Sequence, residues 1–160
     1  MVTLKKITAE NVWKIMKLRV NEGQENFVAS NSQSVIEAYV ALTNGGHALP
    51  YGIYDDETPV GFLMIGYDGE DSWEDAPQIA KGNYSLWRLM IDRNYQQRGY
   101  GKEAIRLALE VMRTFPFGPA EYCWLSYEPE NEVAKKLYRS FGFEENGEKD
   151  EDEIIAVRKL

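Results

Sequence analysis

Gln96-Gln97-Arg98-Gly99-Tyr100-Gly101-Lys102 follows a strand-like run, Tyr84-Ser85-Leu86-Trp87-Arg88-Leu89-Met90-Ile91-Asp92, and leads into a helical one. A strand that turns through glycines into a helix forms an anion site. Glycine lets the backbone turn tightly and approach a ligand closely, and the first N–H groups of the helix have no partner within it, so they face whatever sits there. A phosphate or pyrophosphate is the natural occupant. The plainer alternative is that Gly99 and Gly101 only permit a turn.

Outward from this turn, Ala104, Ile105, Ala108, Leu109 and Met112 recur at helical spacing, which predicts a helix over 101–114. Pro116, Gly118 and Pro119 then break the chain; a strand is expected over 121–126, a helix over 131–141 stopped by Gly142, and a closing strand over 154–159. On the N-terminal side, residues 2–7 alternate as a strand. Thr8 is placed to cap a helix carrying Val12, Ile15, Met16 and Leu18 on one face. A polar stretch over 21–33 precedes a second helix over 34–42, ended by Asn44-Gly45-Gly46. Two β-rich runs, 48–54 and 59–67, flank the polar turn 55–58 and predict an antiparallel hairpin. The segment 68–82 lacks periodicity and reads as a loop or partial helix over the site.

This order excludes all-α and all-β folds. It implies an α/β or α+β layer structure with helices on both faces of a mixed sheet. At 160 residues and 44% hydrophobic content the chain reads as a single domain, 1–160, with a core of its own. Residues 1–7 show neither the apolar segment nor the cleavage site of a secretory signal, and no run approaches the ~20 apolar residues of a membrane helix, so a cytoplasmic protein is expected. The single cysteine, Cys123, lies in an apolar run, excludes an internal disulfide and reads as a buried strand residue. His47, the single histidine, sits beside Gly45-Gly46 and reads as a surface loop residue.

A formal charge of −8 argues against a nucleic-acid partner, which demands clustered Lys and Arg. Asp68, Glu70, Asp71, Glu74 and Asp75 crowd one segment, and Glu144, Glu145, Glu148, Asp150, Glu151, Asp152 and Glu153 crowd another. Arg98, Lys102, Arg106, Lys135, Lys136 and Arg139 lie instead near the glycine turn or on the last helix. The acidic surplus is compatible with a cationic substrate, and equally with solubility alone.

The pattern Gln96-x-x-Gly99-x-Gly101 after Leu89-Met90-Ile91-Asp92, with Asn131 and Ala134-Lys135-Lys136-Leu137-Tyr138-Arg139-Ser140-Phe141-Gly142-Phe143 downstream, resembles the GCN5-related N-acetyltransferases (GNAT) over essentially the whole chain. The resemblance implies a central, twisted, mostly antiparallel mixed sheet of about six to seven strands. It also implies acetyl transfer from acetyl-CoA to an amine, with no metal. Under it, Leu89, Met90 and Ile91 offer unpaired backbone groups to the pantetheine arm as an added strand would. The backbone N–H groups of Gln97, Arg98, Gly99, Tyr100, Gly101 and Lys102 cradle the pyrophosphate, Arg98 and Lys102 adding charge to the field of the helix, and Gln96 belongs to the same cofactor-binding set. Asn131 and Lys135 join this cofactor set, Asn131 serving either as helix cap or as a ligand of the CoA arm.

Family position makes Tyr138 the acid that protonates the departing thiolate; by composition alone it reads as a core tyrosine beside Phe141 and Phe143. The attacking amine must also lose a proton. Glu128 and Asp92 are candidates for that base, Asp92 reading more readily as a solvated loop carboxylate. Where some polyamine-acetylating relatives carry an acid two residues before the CoA-binding strand segment, this chain has Trp87.

Glu22-Gly23-Gln24-Glu25-Asn26-Phe27-Val28-Ala29 resembles the acceptor wall of bacterial spermine/spermidine acetyltransferases. Glu22 and Glu25 would hold ammonium groups, while Phe27, Trp87 and Trp124 contact methylenes or engage in cation–π attraction. Otherwise the two acids are ordinary loop residues and Phe27 a loop anchor. The implied function is N-acetylation of spermidine, spermine or a similar amine. The alternatives are a protein N-terminus, an amino acid or an aminoglycoside as acceptor, or a non-catalytic CoA-binding sensor. The resemblance also admits a homodimer.

Overall fold

The computed structural model describes residues 1–69 and 75–160. The expectations for Glu70, Asp71 and Glu74 lie outside the described residues. Seven strands form one sheet in the order β1-β2-β3-β4-β5-β7-β6. They are β1 (Val2–Lys6), β2 (His47–Asp55), β3 (Thr58–Tyr67), β4 (Tyr84–Ile91), β5 (Tyr122–Tyr127), β6 (Glu144–Asp150) and β7 (Glu153–Lys159). Every neighbouring pair is antiparallel except β4–β5, which is parallel. Helices α1 (Val12–Met16) and α2 (Asn31–Thr43) cover one face, where Ile15 and Ala38 pack with Phe62, Met64 and Met90. Helices α3 (Tyr100–Arg113) and α4 (Glu132–Ser140) cover the other.

The predicted apolar face of α3 is the buried one: Ala104, Ile105, Ala108, Leu109 and Met112 are all in the core with Ile53, Leu63 and Leu125. Each fully buried Ile or Leu contributes about 1.5–3 kcal/mol. This helix therefore fixes where the preceding glycine turn sits.

Three elements differ from their sequence reading. Helix α2 starts at Asn31 because the Ser30 hydroxyl accepts the Gln33 N–H at 3.1 Å and Asn31, itself buried, donates to the Ile15 carbonyl at 2.9 Å. The polar stretch ahead of the helix is its cap and first turn. Helix α1 is preceded by Asn11, whose side chain accepts the Thr8 N–H at 2.8 Å, and it ends before Leu18. Strand β6 has no apolar alternation, and it lies at the sheet edge, where charged side chains discourage pairing with another chain. Among the described residues of 68–82, a 3-10 turn at Gln78–Ala80 buries Ala80 against Trp124 and Ile155.

Candidate active site

Strands β4 and β5 are paired only at Tyr84↔Cys123 and Ser85↔Trp124. Beyond that, β4 keeps its ladder to β3 and β5 its ladder to β7, but the two facing edges have parted. The register of β4 against β3 shifts between Met64 and Ile65, where Leu86 and Arg88 are partnered and Trp87 is not. Such a bulge bends and twists the strand, turning the end of β4 away from β5. Leu89, Met90 and Ile91 lie on this parted edge.

The turn beyond β4 has Gln97 at φ 62° and Gly99 at φ 84°, and α3 begins at Tyr100. Gly99 suits this left-handed position, which costs a residue with a Cβ. The first i→i−4 bond of α3 runs from Glu103 to Gly99 at 3.2 Å, so the N–H groups just before it have no partner within the helix. Arg98 and Lys102 are exposed around it, Arg98 lying 5.5 Å from the Tyr95 ring centroid. A Cβ built on Gly101 would stand 3.5 Å from Leu137 of α4. The turn and Tyr138's helix therefore flank one gap.

Two predicted cofactor residues turn their side chains elsewhere. Tyr100 donates its hydroxyl to Asp55 at 2.7 Å, which with the chain's amino terminus holds the Asp55 carboxyl below its usual range. Gln96 directs its amide to Asn21, Gln24 and Ile91. Lys135 is 3.6 Å from Glu145 of β6, across from the gap. Asn131 is the cap of α4, accepting the Ala134 N–H at 3.2 Å.

Tyr138 packs its ring 6.1 Å from those of Tyr127 and Phe143. Burial, and then the carboxylate of Glu153, push its phenol well above the usual tyrosine value. It keeps its proton throughout the neutral range. Tyr127 donates to Glu145 at 2.9 Å, and burial first, then that carboxylate, push it up to about 12.

Glu153, Asp150 and Arg88 were not legible as site residues. Asp150 and Glu153 pair across the β6–β7 turn, and Ser126 of β5 donates to Glu153 at 3.4 Å. The Glu153 carboxyl is raised above its usual range by burial first, then by the charges of Glu128 and Asp150, against the pull of Ser126 and Arg88. Asp150 is raised likewise, by burial and Glu151. Glu128, predicted from its place after β5, acts through its charge on Glu153, which in turn acts on Tyr138. Arg88, 5.9 Å from the Trp87 ring centroid, forms a 2.8 Å ion pair with Glu37 of α2. Because the bulge breaks strand alternation, Trp87 packs with the α1–α2 side while adjacent Arg88 also reaches α2.

Other expectations are corrected by tertiary contacts. Asp92 is not a solvated loop carboxylate: it is 5% exposed, accepting the N–H groups of Arg19 at 2.9 Å and Asn94 at 3.0 Å. His47 opens β2 and stacks on Phe117 at 4.5 Å rather than standing in a surface loop. Trp124 is buried in a small core cluster with Ala80 and Ile155. Glu22 and Glu25 are exposed and Phe27 is half-buried, in and beside the 3-10 turn Glu22–Gln24. Among the described residues no group of three or more His, Cys, Asp or Glu is arranged to hold a metal, and no helix is long and apolar enough to cross a membrane.

Comparison with known proteins agrees with this geometry. The model of the acetyltransferase (GNAT) family matches residues 10–143. A probable spermine N(1)-acetyltransferase of Bacillus subtilis subsp. natto (strain BEST195) is 28% identical over 164 residues, 99% of each chain. A spermine/spermidine N(1)-acetyltransferase of Bacillus subtilis (strain 168) matches with the same identity and coverage. Among solved structures, an aminoglycoside acetyltransferase in complex with coenzyme A aligns with a TM-score of 0.76 at 17% identity, over 99% of this chain and 95% of that one. The PaiA N-acetyltransferase of Thermoplasma acidophilum, with coenzyme A, aligns with a TM-score of 0.67 at 16% identity, over 100% and 99%.

Proposed function

The chain belongs to the GNAT acetyltransferase family and is an acetyl-CoA-dependent N-acetyltransferase, and from that premise we propose that its acceptor is a small polyamine such as spermidine or spermine. The observation that carries this reading is the part-buried carboxyl of Glu153, which pairs with Asp150 across the β6–β7 turn, feels the charges of Glu128 and Asp150 and itself acts on the Tyr138 phenol. Carboxylates that raise one another's proton affinity in this way are relieved by a cation. Relatives named for spermine and spermidine support the same class.

Acetyl-CoA supplies the thioester. The backbone edge at Leu89, Met90 and Ile91 would align its arm, and the N–H groups from Gln97 to Lys102, with Arg98 and Lys102, would hold the pyrophosphate. Glu153 has the raised affinity for a proton that a base requires, so it takes one from the substrate ammonium while Glu128 holds a neighbouring positive group. The freed nitrogen lone pair then forms the carbon–nitrogen bond. Tyr138 gives its proton to sulfur as the carbon–sulfur bond breaks, and the proton shed by the new amide nitrogen restores the phenol. Trp87 at the bulge and Phe27 provide apolar contact for the methylenes.

The test is CoA release from acetyl-CoA with a panel of spermine, spermidine, a monoamine, an amino acid, a peptide N-terminus and an aminoglycoside, with products identified by mass. Spermine and spermidine are expected to exceed the others in kcat/KM by about tenfold or more, the scale that several desolvated charge contacts impose. A different leader would reassign the acceptor. Tight acetyl-CoA binding with no release from any amine would leave a CoA-binding sensor.

Glu22 and Glu25 extend the acidic surface along the acceptor loop. Replacing both with Gln is expected to raise KM for spermine several-fold, about what two exposed charge contacts contribute, while barely moving KM for a monoamine. Equal changes for the two amines would return these residues to ordinary loop positions.

A further inference from the structure

The loop that carries Glu22 and Glu25 and the turn proposed to hold the pyrophosphate are bonded to each other. The Gln96 amide nitrogen donates to Gln24 Oε1 at 2.7 Å and to the Ile91 carbonyl at 3.0 Å, and its oxygen accepts from the Asn21 amide at 3.0 Å. Both amide hydrogens are therefore used. Gln24 Oε1 also accepts the Asn21 N–H at 3.2 Å, which closes the network within the loop. A second tie lies four residues earlier: buried Asp92 accepts the Arg19 N–H at 2.9 Å, and the Arg93 N–H donates to the Arg19 carbonyl at 2.7 Å. Segments 19–24 and 91–96 thus form one hydrogen-bonded unit joined at both ends.

We infer that Gln96 is a positioning residue, coupling occupancy of the glycine turn to the order of the acceptor loop at 21–25. The physical route is short. Gln97 is in the left-handed region, φ 62°, and it opens the run of N–H groups that would face the pyrophosphate. Anion binding fixes that backbone, and Gln96, one peptide away, is fixed with it. Its amide then loses the freedom to exchange Asn21 and Gln24 for water, so the loop pays less ordering entropy when the amine arrives. Glu22 and Glu25 are exposed on the same 3-10 turn and cap as Gln24, so the backbone that Gln24 holds also carries them. The same link makes productive order of binding a property of the chain: the acyl donor prepares the acceptor wall. The amine part of this inference rests on the acceptor proposed above; the coupling itself does not.

Two readouts test it on the full-length chain. In amide hydrogen exchange with coenzyme A as probe, wild-type protein is expected to slow at 97–102 and also at 19–27. Gln96→Ala should keep the first effect and lose the second, with CoA affinity within about twofold of wild type. Gln24→Ala, which cuts the network from the loop side, should reproduce this pattern and stands in if Gln96→Ala does not fold. In spermine titrations, CoA should raise affinity about fivefold or more in wild type, the lower end of ordinary coupling, and by a factor near one in either variant. Loop protection that is absent in wild type, or that survives both substitutions, overturns the inference. So does a large loss of CoA affinity in Gln96→Ala, which would make Gln96 a direct CoA ligand. If exchange behaves as expected while spermine binds no form, the coupling stands and the polyamine reading falls.

Discussion

Tyr138→Phe is expected to lower kcat by about tenfold or more while acetyl-CoA affinity stays within about twofold, the signature of an interaction made only as the bond breaks. The substitution removes one hydroxyl and leaves the ring, so packing against Tyr127 and Phe143 survives and the melting temperature should barely move. The size follows from the leaving group. A thiol ionises near ~8.5, so its thiolate departs without help more readily than an alkoxide would, and general-acid assistance lies at the lower end of its usual range. Burial and Glu153 raise the phenol, so its neutral form is the folded state's preferred form and persists past the ordinary value near ~10. The pH profile should therefore lack an alkaline fall assignable to this group below that value. Single-turnover measurement with saturating amine gives kcat directly, and an unchanged kcat would remove Tyr138 from the chemistry.

Glu153→Gln is expected to reduce kcat/KM for spermine by about tenfold or more, since it deletes the group that takes the ammonium proton. Ser126 keeps an acceptor, because the new side-chain oxygen can occupy the place of the carboxylate oxygen it bonds. The pH dependence is the sharper signature. Burial and the neighbouring Glu128 and Asp150 raise the folded-state value of Glu153, so wild-type kcat/KM should rise with pH along an acid limb above the usual carboxylate value of ~4.3, and the variant should lose that limb. Stability should move oppositely to activity. A carboxyl with a raised folded value stabilises the fold while protonated, and that contribution is lost as pH climbs through the raised value. At neutral pH the ionised group is thus a cost, and Gln is expected to raise the melting temperature there but not at acid pH. A falling melting temperature at neutral pH, with activity intact, would make Glu153 a structural partner of Ser126 and nothing more.

The site was legible unevenly, and particular residues show why. The glycine turn and α3 were readable because both signals are local: a backbone angle that glycine tolerates, and an apolar face with helical period. Tyr138 was singled out through a motif whose spacing is itself local, and Glu128 through its place just after a strand. Strand β6 was not, because an edge strand facing water needs no apolar alternation. Asp92 looked like a loop carboxylate until Arg19, which is 73 positions away, supplied its donor. Glu153 was one acid in a run of acids; what distinguishes it is Ser126 and the nearness of Glu128, Asp150 and Tyr138.

The amino-acid sequence by itself determined the layered sheet with helices on both faces and the glycine turn into α3, because both are written in spacing along the chain, while its resemblance to a family implied the class of reaction. Tertiary structure alone decided that Asp150 pairs with Glu153, that Trp87 and Arg88 both reach the α2 side through a bulge, and that the loop at 21–24 is bonded to the turn through Gln96. The last two outcomes depend on pairing between residues dozens of positions apart. Charge repulsion, burial and hydrogen bonding act across space, and no periodicity along the chain records them.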